Sequence, residues 1–497
     1  MSRGKAASAL DLPRPDSLDA GKQQGAYEAL RAAILNRQLP AGSRLPSTRS
    51  LAERWNVSRG TLEAAFDRLH SEGYVQRVAG SGTRVCAVIP EQFIGAPVAA
   101  AAVRRRVEPD RPAGGVQSHV PFVARRPDAS LFDLKNWARC IARGLAAAGP
   151  GVLEAAHVAG IPALREQIAE YLRSYRGMRC EADEVIITTG IRHALDLIAR
   201  TLIQPGDIAC VEDPGYPPAR RLFALAGAHI HTAPVTAEGL DPLQLPATAR
   251  LAYVTPAHQA PLGMTLSVSR RLALLDWAAR ADAWVVEDDY DSEYNYNTAP
   301  LAALKSLDNA DRVIYCGSFN KNLFPGLRVG FMVVPKALHR PLLRTLQLTG
   351  HSVGATDQLG LVEFLGSGGF VRHLRASRQA YQARRDALLA CLPGCTVSGQ
   401  QAGLHFVLWL PADEEEGAFC RRAAEAGLTL QPLGKFCVQV SLPPAVIIGY
   451  TALTLAQIRF HGRALFKVWE GLAPDCSVSA TNVPIDIPSS GASPHPH

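Results

Sequence analysis

The sequence predicts an α/β large domain preceded by a small winged helix-turn-helix domain, and three observations carry that prediction. From about residue 131, apolar strand-like runs (EVIITTG, IACVEDPG, LAYVTP, AWVVEDDY) alternate with helical stretches (RHALDLIARTLI, SRRLALLDWAARA). Such alternation implies a parallel or mostly parallel sheet covered by helices on both faces. Ahead of it, two short helix patterns joined by a tight turn precede a glycine-centred hairpin. The length of 497 residues allows two to four domains, at ~100–200 residues per domain.

Composition sets the boundaries. Residues 1–20 are polar and proline-containing and read as a disordered tail, and residues 21–88 hold the helix-turn-helix and hairpin. Residues 89–130, with APVAAAAVRRRVEPDRPAGG, keep neither a helical nor a strand period and read as a linker. The α/β domain occupies 131–472, and the Ser/Pro-rich residues 473–497 form a second disordered tail. Charge follows the same division. Residues 1–90 hold 13 Lys/Arg against 8 Asp/Glu, residues 91–130 hold 6 against 4, and the remainder is balanced at 33 and 33. A polyanionic partner is therefore expected for the N-terminal part alone. No run approaches the ~20 apolar residues that span a bilayer, and the first residues lack the apolar core of a signal peptide. Ten cysteines occur without a CxxC pair. They read as reduced thiols of a cytoplasmic protein, with neither metal nor membrane.

In the head, Tyr27, Leu30 and Ile34 recur at helical spacing. Ser47 is placed to cap a short helix carrying Leu51 and Trp55; after a turn at Asn56 and Val57, Ser58 caps a second with Leu62, Phe66 and Leu69 on its core face. Gly73 ends it, and YVQRVAGSGTRVCAV reads as a hairpin about Gly80-Ser81-Gly82. A capped helix start bearing Ser58, Arg59 and Thr61 offers small donors and a guanidinium to a major groove. Arg44, Ser47 and Arg49 lie where phosphates are gripped, and Gly60 permits close approach. A helical protein-interaction domain is the plainer alternative. LPAGSRLPSTRSLAERWNVSRGTLEAAFDRLHSEGYVQRVAGSGTRV also resembles, along its whole length, the winged helix of GntR-type transcription factors. That resemblance implies double-stranded DNA as the partner, with Arg44, Arg49, Arg59, Thr61 and the wing glycine Gly82 as contacts.

The large domain turns on one lysine. GSFNKNLFPGLRVG is a polar, glycine-bounded turn between the apolar runs VIYC and VGFMVV, and it carries Lys321. A turn lysine commonly points to water. Held at the edge of a buried sheet, however, partial desolvation lowers its pKa toward the range in which a free amine attacks a carbonyl. Pyridoxal 5'-phosphate supplies such a carbonyl and makes three further demands. An acid must face the ring nitrogen, and AWVVEDDYDSEY ends a strand in Glu287, Asp288 and Asp289, with Tyr290 placed to reach the ring hydroxyl. A phosphate needs donors, and Gly190 opens a helix whose first amides belong to Ile191 and Arg192, while Ser318 and Arg328 flank the lysine. The ring needs an aromatic face, for which Tyr216 in EDPGYPP stands on a loop at the same sheet edge. Each feature alone has a structural explanation: a solvated strand-end acid, a lone glycine turn, a tyrosine packed on its own loop.

In chain order, TTG, EDPGY, TPAHQAPLG, EDDYDSEY and GSFNKNLFPGLRVG resemble the cofactor-binding segments of fold-type I aminotransferases over about residues 130–470. With the head attached, the chain is similar to MocR/GabR-type regulators, which join a winged helix to an aminotransferase-like domain. The resemblance implies that Lys321 is the internal aldimine lysine, Asp288 the pyridinium partner, Tyr290 the ring-oxygen partner, Tyr216 the stacking ring, and Ser318 and Arg328 phosphate ligands. It also implies a homodimer. Three departures stand out, the last the most serious. Ala260 in HQAPLG replaces the asparagine of an NPTG-like turn, leaving His258 or Gln259 to supply its hydrogen bond, and Asn320 stands where a serine commonly precedes the lysine. In FCVQVSLPPAVIIGYTALT no arginine is present to clamp a substrate carboxylate. The expected function is a DNA-binding transcriptional regulator that senses an amine or amino-acid effector, or pyridoxal phosphate itself, at Lys321. The alternatives are an aminotransferase with an appended DNA-binding domain and a repressor whose large domain only dimerises.

Overall fold

The computed structural model describes residues 12–15, 18, 21–78, 80–88, 120–154, 157–296 and 302–471. The tail expected over 473–497 and most of the expected linker lie outside the described residues. The chain divides into two compact units, Met1–Gly115 and Val116–His497.

In the first unit, helices α1 (Lys22–Leu35), α2 (Thr48–Trp55) and α3 (Arg59–Ser71) precede strands β1 (Val75–Val78) and β2 (Gly82–Val85), which pair antiparallel. The two predicted caps form: Ser47 Oγ accepts from the Ser50 amide and Ser58 Oγ from the Thr61 amide, each at 3.1 Å. Each satisfies an amide that a helix start leaves unpaired, worth about 1 kcal/mol. Asn56 turns the chain between α2 and α3 in the left-handed region, at φ 52°. Leu30, Leu51, Trp55, Leu62, Phe66 and Leu69 close one core. That core reaches further back than composition suggests. Leu12 and Leu18, within the expected 1–20 tail, are buried in it, and Trp55 Nε1 donates to the Leu12 carbonyl at 3.2 Å. Two leucines among the polar and proline residues supply enough apolar surface to dock this stretch.

The second unit is built on an eight-stranded mixed sheet in the order β3-β10-β9-β8-β7-β4-β5-β6. Its strands are β3 (Val185–Thr188), β4 (Ile208–Asp213), β5 (His229–Thr236), β6 (Gly239–Leu240), β7 (Ala249–Val254), β8 (Trp284–Asp289), β9 (Val313–Ser318) and β10 (Gly330–Val333). β5, β4, β7, β8 and β9 run parallel, and β10 runs against both of its neighbours. The ends of β3, β4, β7, β8 and β9 therefore emerge at one edge. Helices Ile191–Leu202, Pro217–Leu225 and Lys336–Thr349 cover one face through Leu195, Ile198, Phe223 and Leu342. The other face carries Val185, Ile187, Tyr315 and Phe331 in one cluster and Val254, Val285 and Trp277 in another. A smaller antiparallel sheet, β11 (Val397–Ser398), β12 (His405–Trp409), β13 (Gln431–Pro432) and β14 (Ala445–Gly449), forms a second lobe in the order β11-β12-β14-β13.

The start of this unit differs from the expected linker end at residue 130. Phe122 is buried in the second lobe's core, and its carbonyl accepts from the Gly449 amide at 3.0 Å. Residues 120–130 thus belong to the folded unit. Their lack of periodicity reflects an irregular strap whose backbone bonds go to distant residues. No helix among the described residues is long and apolar enough to cross a membrane.

Candidate functional site

At the shared edge of β3, β4, β7, β8 and β9, loops bring Gly190, Tyr216, His258, Tyr290 and Lys321 out of the core, as an open α/β sheet does for its ligands. The alternation of side chains along β8 sorts its three acids. Asp288 falls on the same face as Val286, where the Tyr253 hydroxyl donates to Oδ2 at 2.5 Å. Glu287 and Asp289 fall on the other face. Glu287 accepts the amides of Leu304 and Lys305, and Asp289 pairs with Arg176 at 2.7 Å and accepts from the Tyr315 hydroxyl. Only Asp288 is presented toward the Tyr216 side of the sheet: the rings of Tyr216 and Tyr253 stack at 6.4 Å. Burial raises Asp288 to about 7, against the pull of the Tyr253 bond and with the help of Asp289 and Asp291. A carboxylate so placed gains a great deal from a cationic partner.

Lys321 is half-buried, and its amine donates to the Arg125 carbonyl at 2.7 Å. Burial, and then the Arg125 cation, push it down to about 8, while Asp291 and Asp288 pull the other way. An appreciable fraction is therefore the free amine near neutral pH, the form that attacks carbonyls. Tyr290 is buried, with its hydroxyl 3.2 Å from His258 Nδ1. That nitrogen also lies 3.1 Å from both Asp291 oxygens, whose charge raises His258 in spite of burial.

The other end of the site is built for an anion. Gly190, at φ 115°, opens the helix Ile191–Leu202, and a Cβ there would lie 2.8 Å from the Asn320 side chain. The turn thus requires glycine, and it leaves the first amides of that helix, those of Ile191 and Arg192, without an intrahelical acceptor. Asn320 Oδ1 accepts the Val329 amide at 3.0 Å and Ser318 Oγ accepts the Asn320 amide at 3.2 Å, bracing the lysine turn. Arg328 is exposed in the left-handed region, at φ 54°, and Arg192 Nε reaches the Tyr216 hydroxyl at 3.5 Å. Together these groups suit a flat, anionic ligand carrying a carbonyl and a basic ring nitrogen.

One expected contact is placed otherwise. Gln259 Nε2 donates to Pro214 O, Ala260 O and Glu212 Oε2, and its Oε1 accepts the Leu262 amide. Its amide is consumed in holding two loops together, so it braces the site instead of facing a ligand. Sequence reasoning missed Tyr253, Asp291 and Arg125. Tyr253 sits in an ordinary strand run, LAYV, and only strand order sets it beside Asp288.

In the head, the predicted DNA residues share the surface of α2, α3 and the wing. Gly82, at φ 79°, lets the Arg44 guanidinium lie across it: a Cβ there would be 3.0 Å from Arg44 Nε. Arg49 and Arg59 are exposed and make i,i+4 pairs with Glu53 (3.3 Å) and Glu63 (2.8 Å). Ser47 and Ser58 serve as caps, and Ser58 Oγ lies 2.8 Å from Thr61 Oγ1. Exposed pairs of this kind are worth little, so a phosphate can replace the carboxylate at small cost.

Comparisons with known proteins agree with this division. Residues 22–85 match the bacterial regulatory proteins of the gntR family, and residues 126–458 match aminotransferase class I and II. The chain is 36% identical over 449 residues to a probable rhizopine catabolism regulatory protein, MocR, of Rhizobium meliloti, covering 86% of this chain and 89% of that protein. It is 32% identical to the pyridoxine biosynthesis transcriptional regulator PdxR of Corynebacterium glutamicum, covering 85% and 90%. Among solved structures it is similar to an archaeal alanine:glyoxylate aminotransferase, with a TM-score of 0.67, 27% identity, and 72% of this chain and 92% of that chain covered.

Proposed function

The chain belongs to the MocR-type transcriptional regulators, in which a gntR-family head precedes an aminotransferase class I and II domain, and from that premise we propose that it holds pyridoxal 5'-phosphate on Lys321 and uses that site to set its hold on promoter DNA. The observation that carries the proposal is the pairing, at one sheet edge, of a lysine pushed down to about 8 with a buried aspartate pushed up to about 7. The donor set matches the cofactor part by part: Asp288 for the ring nitrogen, Tyr290 for the ring hydroxyl, Tyr216 for the ring face, and the Gly190 turn with Ser318, Arg192 and Arg328 for the phosphate. Bound there, the cofactor supplies an aldehyde that takes up an amine and a ring that draws electrons from it.

The chain's own residues supply the rest. Asp288, charged against a protonated ring nitrogen, exchanges a costly buried acid for an ion pair. Tyr253 holds it in place. Lys321 now donates to the Arg125 carbonyl, so recruitment of its amine elsewhere frees that one carbonyl of the strap at residues 120–128. The effector is an amine or amino acid that competes for the Lys321 position, or the cofactor itself, a choice that the pyridoxine-related relative supports. A cytoplasmic homodimer would present two heads to paired half-sites.

The test is borohydride reduction of the purified full-length chain with pyridoxal phosphate, followed by peptide mapping. A pyridoxyl adduct on Lys321, lost in Lys321→Ala, is the expected outcome. Footprinting of the DNA beside its own gene, with and without the cofactor, should show one protected site whose occupancy changes. No adduct on Lys321 would sink the reading, and sustained turnover of an amino donor with a 2-oxo acid would make the chain an aminotransferase.

A further inference from the structure

We propose that Arg125 clamps the carboxylate of an amino-acid effector whose amine is delivered to the Lys321 position; this rests on the reading that Lys321 carries pyridoxal phosphate. Residues 436–454, at the second lobe's side of the site, contain no arginine. The loop there is locked without a cation: both Asp213 carboxylate oxygens are taken up by the amides of Val438, Gln439 and Val440. Arg125 arrives from the opposite end of the unit's sequence. Its guanidinium lies over the Phe436 ring, 5.1 Å from the centroid, and its carbonyl receives the Lys321 amine at 2.7 Å. One residue thus touches both the lysine and the wall where a clamp is missing.

Three features mark it as a binding group. Arg125 is half-buried, and among the described residues no carboxylate pairs with its guanidinium, whereas the buried Arg176 and Arg384 pair with Asp289 and Asp128. A half-buried cation held by an aromatic ring alone gains further from an anion that a ligand supplies. The residue sits at φ 58°, an uncommon conformation for a non-glycine residue, and its neighbours fix it there. Those surroundings are visible. Thr429 N donates to Pro121 O at 3.1 Å, Gly449 N to Phe122 O at 3.0 Å, and Thr451 Oγ1 to Arg126 O at 2.5 Å. The strap is pinned on either side of Arg125, and its side chain is aimed along Phe436. Planar guanidinium against planar carboxylate gives two parallel hydrogen bonds, which a plain amine cannot make. With the cofactor held on Lys321, the effector's amine would replace the Lys321 amine on the cofactor's aldehyde carbon, one amine released for each taken up.

The experiment titrates the full-length, pyridoxal phosphate-loaded chain with ω-amino acids from glycine to 6-aminohexanoate and with the matched alkylamines from methylamine to pentylamine, following the visible absorption. The wild type should respond to its best amino acid at a concentration at least ~30-fold below that for the matched amine, the scale of one charged hydrogen-bonded contact. Arg125→Gln should erase most of that preference, with Arg125→Lys between the two. A second readout needs no cofactor: alkanoates from acetate to hexanoate should raise the melting temperature of the cofactor-free wild type and not that of Arg125→Gln. A preference surviving in Arg125→Gln overturns the proposal. So does failure of that variant to give the pyridoxyl adduct on Lys321, which would assign Arg125 to the cofactor. Absence of the adduct in the wild type defeats the function reading itself, and this inference with it.

Discussion

The proposed DNA-contact face of the head and the loop edge of the large sheet both gather arginines, hydroxyls and acids, yet in opposite surroundings. On the head, Arg49, Arg59 and their glutamates stand in water, in pairs that solvent screens and a phosphate can displace. At the sheet edge, Asp288, His258, Asp291 and Tyr290 are buried, and burial pushes Asp288 and Tyr290 well above their ordinary values. The difference separates recognition from chemistry. A surface that must find and leave a polyanion gains from cheap, exchangeable contacts, whereas a site that activates an amine needs a low dielectric around it.

The contrast breaks most directly at Asp288. Asp288→Asn keeps the Tyr253 hydrogen bond but removes the charge, so pyridoxal phosphate affinity should fall about 100-fold, the loss of one buried charged contact. The same change should stabilise the cofactor-free chain by about 1–2 kcal/mol, because no carboxyl need be buried. Equilibrium dialysis and thermal melts check the two halves, and equal cofactor affinity in both proteins would remove Asp288 from the site.

A second, intermediate effect lies in pH. Only the unprotonated Lys321 amine attacks, and with the group at about 8 the capture rate should climb about tenfold per pH unit below that value and level off above it. Rapid-mixing absorption between pH 6 and 9.5 reads this directly. A plateau beginning only near 10 would mean that the lysine is solvated like a surface residue.

The smallest effects belong to the head. Arg59→Ala should weaken operator binding about tenfold and reduce the salt dependence by the equivalent of about one phosphate contact. Glu63→Ala, which frees that arginine, should change stability by less than ~0.5 kcal/mol while tightening DNA binding slightly. Binding measured across a salt series separates these outcomes. A large stability loss in Glu63→Ala would show that the pair is structural.

Much of this organisation was legible before any tertiary structure. The Ser47 and Ser58 caps, the Asn56 turn and the wing about Gly82 depend on neighbours a few residues away, and they form where the pattern puts them. The run EDD narrows the ring-nitrogen partner to Glu287, Asp288 and Asp289, and the contact with Tyr253 then singles out Asp288. Less was legible where contacts are remote. Gln259 is spent on Pro214, 45 residues earlier, and Leu12 docks on Trp55 from a stretch whose composition suggests a tail.

Strand, helix, cap and turn were thus written into short stretches of chain, because backbone propensity and side-chain periodicity act over a few residues. Which lysine is desolvated, which aspartate is left facing a ligand, and which arginine stands unpaired depend on what is packed opposite. Tyr253 reaches Asp288 across 35 residues and Arg125 reaches Lys321 across 196. Burial and charge pairing, the forces that set these ionisations, exist only once the sheet and its strap bring such residues together.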